Sequence, residues 1–304
     1  MKTILSFFLP LLGCVASGRP ADEKTIDVDG RKRVYHLHVP PGAAKPAALV
    51  LFFHGGGGTG AGAVRQTGFA GLSDKEGFLC AFPEGIGKSW NDGRDEPISE
   101  AHKEKVDDLK FVLAMIDAIA KENKIDPNRV FSTGISNGAI FSHYLAANHA
   151  DRIAAIAPVV GGIAEKVHAV FKPANPVSVL IIQGTEDPLV PFKGGEITAG
   201  KSRRGRIVST TDGAKAWVLA NGCRETAVEG ELPDTDPDDG CRVKTASYAA
   251  GKDGSEVVLY TVVGGGHTWP GGQQYLPKSF IGRLCRDFDA TTAIWEFFKA
   301  HPRR

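Results

Sequence analysis

The chain reads as an α/β protein with a mostly parallel central sheet and helices on both faces. Three observations predict this. Apolar runs of strand length alternate with helix-patterned segments along the whole sequence, the order that a parallel sheet requires. One run, residues 48–53 (Ala-Leu-Val-Leu-Phe-Phe), carries no polar residue, as befits a strand buried on both faces. No internal repeat and no Ser- or Pro-rich linker divides the 304 residues, so residues 19–304 are expected to form a single domain.

Taken in order, residues 32–39 alternate polar and apolar and are expected as a half-exposed edge strand. Further strands are expected at 79–82, 130–133, 154–160, 177–183 and 257–263. The clearest helix is 107–122, with apolar residues at helical spacing behind Asp107 or Asp108 as N-cap. Others are expected at 139–147, 213–221 and 291–301, the last capped by Asp289. The segment 193–212 carries Lys193, Lys201, Arg203, Arg204 and Arg206 and reads as a solvated basic loop.

The first residues have a different character. Lys2 precedes an apolar run, 3–12, too short to span a bilayer but of signal-peptide length, so residues 1–18 are expected to direct export. Two endings compete: cleavage near Ala16-Ser17-Gly18, and a lipobox-like Leu11-Leu12-Gly13-Cys14 that would lipidate Cys14 and anchor the protein. No other segment is long and apolar enough to cross a membrane. Cys223 and Cys241 flank an acidic, turn-rich stretch that burial could not order, so a disulfide between them is expected in an oxidising compartment. Cys80 lies among apolar residues and reads as a buried free thiol, while Cys285 has no assigned partner, Cys80 being one option.

Composition narrows the function. A net charge of +1, with no basic patch interleaved with aromatics, gives no reason to expect a nucleic-acid partner. Neither Cys-x-x-Cys nor His-Glu-x-x-His occurs, so neither metal nor cofactor is expected.

The chemistry is concentrated at Gly134-Ile135-Ser136-Asn137-Gly138. A Gly-x-Ser-x-Gly pattern arises by chance in glycine-rich chains, and this one has 37 Gly. Here, however, a β-prone segment precedes it and a helical one follows, the context in which a sharp turn lifts a serine hydroxyl above a sheet. An α/β-hydrolase then needs an acid and a histidine, in that order. Asp187 follows the strand at 177–183, on the edge where ligands bind in open α/β sheets, with Glu186 as its alternative. Only His267 and His301 come later. His301 ends the last helix, where it merely complements the dipole; His267 sits in Gly264-Gly265-Gly266-His267-Thr268-Trp269-Pro270-Gly271-Gly272, directly after a strand.

The remaining part is a stabiliser of negative charge. The buried strand ending at Phe53 runs into His54-Gly55-Gly56-Gly57-Gly58, where the N–H of Gly56, with that of Asn137, could form an oxyanion hole. A phosphate-binding loop is the rival reading, but neither Gly-x-x-x-x-Gly-Lys-Ser/Thr nor Gly-x-Gly-x-x-Gly is present. Two rivals to an esterase stay open on the same residues: a serine peptidase of the same fold, and a binding protein that kept the fold without its catalysis.

Residues 54–60, 134–138, 183–187 and 265–272 together resemble the poly(3-hydroxybutyrate) depolymerase/feruloyl esterase group, the LpqC-like branch of carbohydrate esterase family 1. Ser89-Trp90-Asn91-Asp92-Gly93, Asp107-Asp108 and the stretch 287–298 resemble family segments too. The resemblance implies an exported serine esterase of the α/β-hydrolase fold, working without a cofactor on feruloyl, acetyl, hydroxyalkanoate or short soluble esters. It also implies that Trp90 and Trp269 line the substrate cleft, although core packing is an equally ordinary place for tryptophan. Extracellular depolymerases of this type often carry an added polymer-binding domain. The chain ends just after its last helix, so soluble esters or side groups on plant polysaccharide are the expected substrates, with a hydroxybutyrate polymer or oligomer as the alternative.

Overall fold

The apolar run beginning at Ala47 forms a central strand in the computed structural model, which describes residues 21–94 and 96–304. The expected signal peptide and Cys14 lie outside the described residues. The strands are β1 (Asp22–Val28), β2 (Arg31–His38), β3 (Ala47–Phe53), β4 (Leu79–Pro83), β5 (Ile125–Ile135), β6 (Ala155–Val159) and β7 (Ser178–Gly184). They continue as β8 (Gly195–Ala199), β9 (Ser202–Ile207), β10 (Val228–Glu231), β11 (Arg242–Tyr248) and β12 (Val257–Val263). Ten of them form one sheet in the order β1-β2-β4-β3-β5-β6-β7-β12-β11-β10. From β4 to β12 neighbouring strands are parallel; the pairs outside that block are antiparallel.

Strand pleat sorts side chains onto two faces. Leu49, Leu51 and Phe53 of β3 enter one core with Phe111, Met115 and Trp217; Ala48, Val50 and Phe52 enter the other with Phe69, Ile294 and Phe298. The helices divide accordingly. Those described are α1 (Gly60–Gln66), α2 (Phe69–Glu76), α3 (Glu100–Lys103), α4 (Asp108–Glu122), α5 (Asn137–Asn148), α6 (Glu165–Ala169), α7 (Thr210–Asn221), α8 (Lys278–Ile281) and α9 (Ala290–Ala300). Helices α4, α5 and α7 cover the first face; α1, α2 and α9 cover the second. Asp107 caps α4 and Asp289 caps α9, each side chain accepting a backbone N–H from within the first turn.

Three expectations need correction. The strand expected at 32–39 is not at the edge, because β1 pairs along it in antiparallel register. The segment 193–212 is not simply a loop: β8 and β9 form a separate hairpin whose Ile197 and Ile207 pack on Ile140 and Val190. Its charged outer face hid those inward residues. Finally, Cys223 and Cys241 are not bonded. All four described cysteines are free and buried, with the Cys223 thiol directed to the Ser255 carbonyl and Cys241 beside Cys285. Carboxylates order the acidic stretch instead. Asp287 accepts the N–H groups of Thr235 and Asp236, and Asp239 accepts that of Cys241.

Candidate active site

Four loops leave the carboxyl edge of the parallel strands: His54 follows β3, Ser136 follows β5, Asp187 follows β7 and His267 follows β12. Ser136 has φ 58° and ψ −120°, a strained conformation for a residue with a Cβ. The turn is pressed against the end of β3. A Cβ on Gly134 would lie 2.5 Å from the Phe53 carbonyl oxygen, and one on Gly138 2.1 Å from it. Only hydrogen fits at either position. The Ser136 N–H donates to the Val159 carbonyl at 3.0 Å, locking the turn to the end of β6.

Asp187 and His267 are brought together. The carboxylate Oδ2 lies 2.7 Å from Nδ1 of the imidazole, and both side chains are buried. The other oxygen, Oδ1, accepts the N–H groups of Leu189 and Val190 at 2.8 Å each, and Gln183 Nε2 donates to Oδ2 at 3.3 Å. The carboxylate is therefore fixed by its own turn and aims one lone pair at the histidine. Glu186 points away: its side chain is 61% exposed and faces Arg283. His301 packs on Glu256 at the far end of α9. Ser136 and His267 line the same cleft, and no described residue hydrogen-bonds the Ser136 hydroxyl.

The glycine-rich loop stands over the elbow. A Cβ on Gly55 would lie 3.4 Å from the Ser136 Cβ, and one on Gly56 3.9 Å from the Asn137 Cβ. No described residue accepts the N–H of Gly56, while Asn137 opens α5, where a helix leaves its N–H groups unpaired. His54 braces this loop as a neutral imidazole. Burial pushes its pKa down, Nδ1 donates to the Gly55 carbonyl at 2.8 Å, and Nε2 accepts the Gly85 N–H at 3.1 Å.

Trp90 corrects the reading of the cleft walls. It is 0% exposed, stacked on Phe141 beneath the site, and its Nε1 donates to the His54 carbonyl at 2.9 Å. Its backbone N–H and carbonyl both bond the Asn137 side chain. It supports the loop and the elbow from below and does not line the cleft. Trp269 does line it, with its Nε1 donating to Thr291.

Sequence reasoning missed the polar shell that holds Asn137. Its Nδ2 donates to Asp92 Oδ2 at 2.6 Å, and Asp92 also receives Arg94 through Nε and Nη2 and contacts His102 Nε2 at 3.1 Å. Burial alone would raise the Asp92 pKa, but Arg94 and His102 outweigh it and hold the carboxyl at about 2. The only trace in sequence was the Asn91-Asp92-Gly93 turn. The cleft above has a volume of about 550 Å³. Ile98, Ile140, Leu189, Val190 and Ile197 line it with apolar side chains, and Trp269, Tyr275 and His267 line it as well. Among the described residues, no helix is long and apolar enough to cross a membrane.

Comparisons with known proteins point to esterases. A family model described as "Esterase PHB depolymerase" matches residues 33–188. NocK of Nocardia uniformis subsp. tsuyamanensis, itself assigned only provisionally as an esterase, is 33% identical over 89% of this chain and 80% of its own. Feruloyl esterase B of Piromyces equi is 31% identical over 66% of this chain but only 35% of its own length. Among solved structures, acetyl xylan esterase from Aspergillus awamori superposes with a TM-score of 0.56 at 16% identity, covering 79% of this chain and 92% of that one.

Proposed function

The chain belongs to the PHB depolymerase esterase family and is a carboxylic ester hydrolase; from that premise we propose that it is an exported serine esterase working through Ser136, His267 and Asp187. His267 removes the Ser136 proton as the hydroxyl attacks the ester carbonyl. Asp187 keeps the imidazole in the tautomer with its proton on Nδ1 and stabilises the charged form. The N–H groups of Gly56 and Asn137 receive the oxyanion, aided by the position of Asn137 at the positive end of α5. Protonated His267 then gives its proton to the departing alcohol, and water activated by the same imidazole releases the acid. The observation carrying this reading is the buried 2.7 Å contact between Asp187 and His267 beside the cleft that Ser136 and His267 line.

The apolar residues lining the cleft support an acyl group larger than acetyl, and the polar lining residues Arg94, Ser99 and Gln273 support a soluble or polysaccharide-linked alcohol. Feruloyl esters on plant polysaccharide fit this division; hydroxybutyrate oligomers are the second reading, supported by the likeness to a poly(3-hydroxyalkanoate) depolymerase of Paucimonas lemoignei, 31% identical over 130 residues. Export rests on the apolar run 3–12. The test is the kcat/KM for methyl ferulate relative to that for a 3-hydroxybutyrate oligomer. A ratio well above one supports the aromatic ester, and a ratio well below one replaces it with the hydroxyalkanoate. A fluorophosphonate probe separates enzyme from mere binding protein: the serine-esterase reading requires its adduct on the Ser136 peptide.

A further inference from the structure

Asp239, Cys241 and Cys285 form a buried cluster on the side of the sheet that carries α9. The two sulfurs and the carboxylate lie within 4.8 Å of one another, and the Cys285 thiol also donates to Asp287 Oδ2 at 3.8 Å. Cys241 stands just before β11, while Cys285 lies in the segment that follows α8. A single carboxylate sets their separation. Asp239 Oδ1 accepts the N–H of Cys241 and Oδ2 accepts that of Arg286, each at 2.6 Å.

We propose that Cys241 and Cys285 are a disulfide site, and that the bond fastens the loop carrying His267 to the start of β11. The Gly266 N–H donates to the Arg283 carbonyl and the His267 N–H to that of Ile281, while the Gly271 N–H donates to the carbonyl of Cys285 itself. The segment ending at Cys285 thus lies alongside the His267 loop, and a crosslink at Cys285 holds both.

A metal centre suits the cluster less well. Both Asp239 oxygens already accept backbone N–H groups, so binding a cation would break the contacts that order this corner. A disulfide uses only the sulfurs and leaves those contacts intact. Because both sulfurs are buried, the bond forms while the chain folds. One thiolate attacks a small disulfide such as oxidised glutathione and releases one glutathione thiol; the second thiolate then attacks the mixed disulfide and releases the other. Two protein thiols are oxidised and one external disulfide is reduced, and the two protons given up by the cysteines end on the two released glutathione sulfurs. The step does not depend on the role assigned to Ser136.

The full-length protein should be produced in an oxidising compartment, denatured in N-ethylmaleimide without reductant, digested and mapped by mass spectrometry. The expected result is a linked pair of peptides containing Cys241 and Cys285, lost on treatment with dithiothreitol, with Cys80 and Cys223 alkylated. Reduction should also lower the Tm by roughly 5 °C or more, since the bond closes a loop holding β11, β12 and the His267 segment. A Cys223→Ser change should leave both results unaltered. Alkylation of both Cys241 and Cys285, a Cys223–Cys241 link, or stoichiometric zinc released on mutation of Cys241 would each overturn the proposal.

Discussion

Asp187 Oδ2 sits 2.7 Å from His267 Nδ1, although the two residues come from loops after different strands. Strands β7 and β12 are adjacent and parallel, with Gln183 paired to Thr261, so the loops leave the sheet side by side. An Asp187→Asn change keeps the shape but removes the negative acceptor, and the amide can force the wrong imidazole tautomer. We expect kcat to fall by about 10³–10⁴-fold with little change in KM. A fall of less than tenfold would remove Asp187 from the mechanism.

Gly138 and Gly71 should respond in opposite ways to the same change. A methyl group at Gly138 would lie 2.1 Å from the Phe53 oxygen, whereas one at Gly71, an exposed position of α2, meets nothing within 4 Å. Gly138→Ala should cost about 3 kcal/mol or more, or prevent folding, because backbone must move. Gly71→Ala should be neutral or stabilising by about 0.5–1 kcal/mol. Chemical denaturation of both variants reads the contrast.

The two tryptophans are predicted to separate kinetically. Trp90→Phe keeps a ring under the site but loses the bond to the His54 carbonyl. Its effect should fall on kcat, roughly 3–30-fold, through a looser oxyanion loop, with KM nearly constant. Trp269→Ala removes a ring that lines the cleft and should raise KM instead. The reverse pattern would return Trp90 to the cleft wall.

Much of this was legible in the chain. Continuously apolar runs marked the strands of the parallel block, since strands buried on both faces need no polar residue. Chain order located Ser136, Asp187 and His267 because each follows a strand that the apolar pattern reveals. Of the antiparallel margins only β2 was legible, from its alternation; β10 (Val-Glu-Gly-Glu) is exposed throughout and carries no burial signal. Nor was Trp90 legible, since indole suits a core or a cleft equally and only its burial against Phe141 decides. The Asp92–Arg94–His102 shell depends on the turn at Gly93 and on α3, which no local pattern connects.

Stability should decline in mild acid through His143. This imidazole is buried and accepts the Trp217 Nε1–H at 3.0 Å; burial lowers its pKa from 6.5 to about 3. Between those values the unfolded chain holds a proton that the folded chain refuses, so stability is lost as pH falls below about 6.5. At pH 4.5 the loss amounts to roughly 2–3 kcal/mol. Asp92 acts lower: its carboxyl, held at about 2, adds stability above about pH 4 that is lost as pH falls toward 2. His143→Gln keeps an acceptor for Trp217 without the titration. Its Tm should fall less steeply between pH 6.5 and 4.5 than that of the wild type; equal slopes would contradict the assignment.

The central claim is that Ser136 is the nucleophile. Its most direct test is hydrolysis of methyl ferulate and of a hydroxybutyrate oligomer by Ser136→Ala, with circular dichroism and Tm recorded on the same sample. The expected result is a loss of turnover of several powers of ten on whichever ester the wild type prefers, with the fold unchanged. Wild-type turnover by a folded Ser136→Ala protein would contradict it.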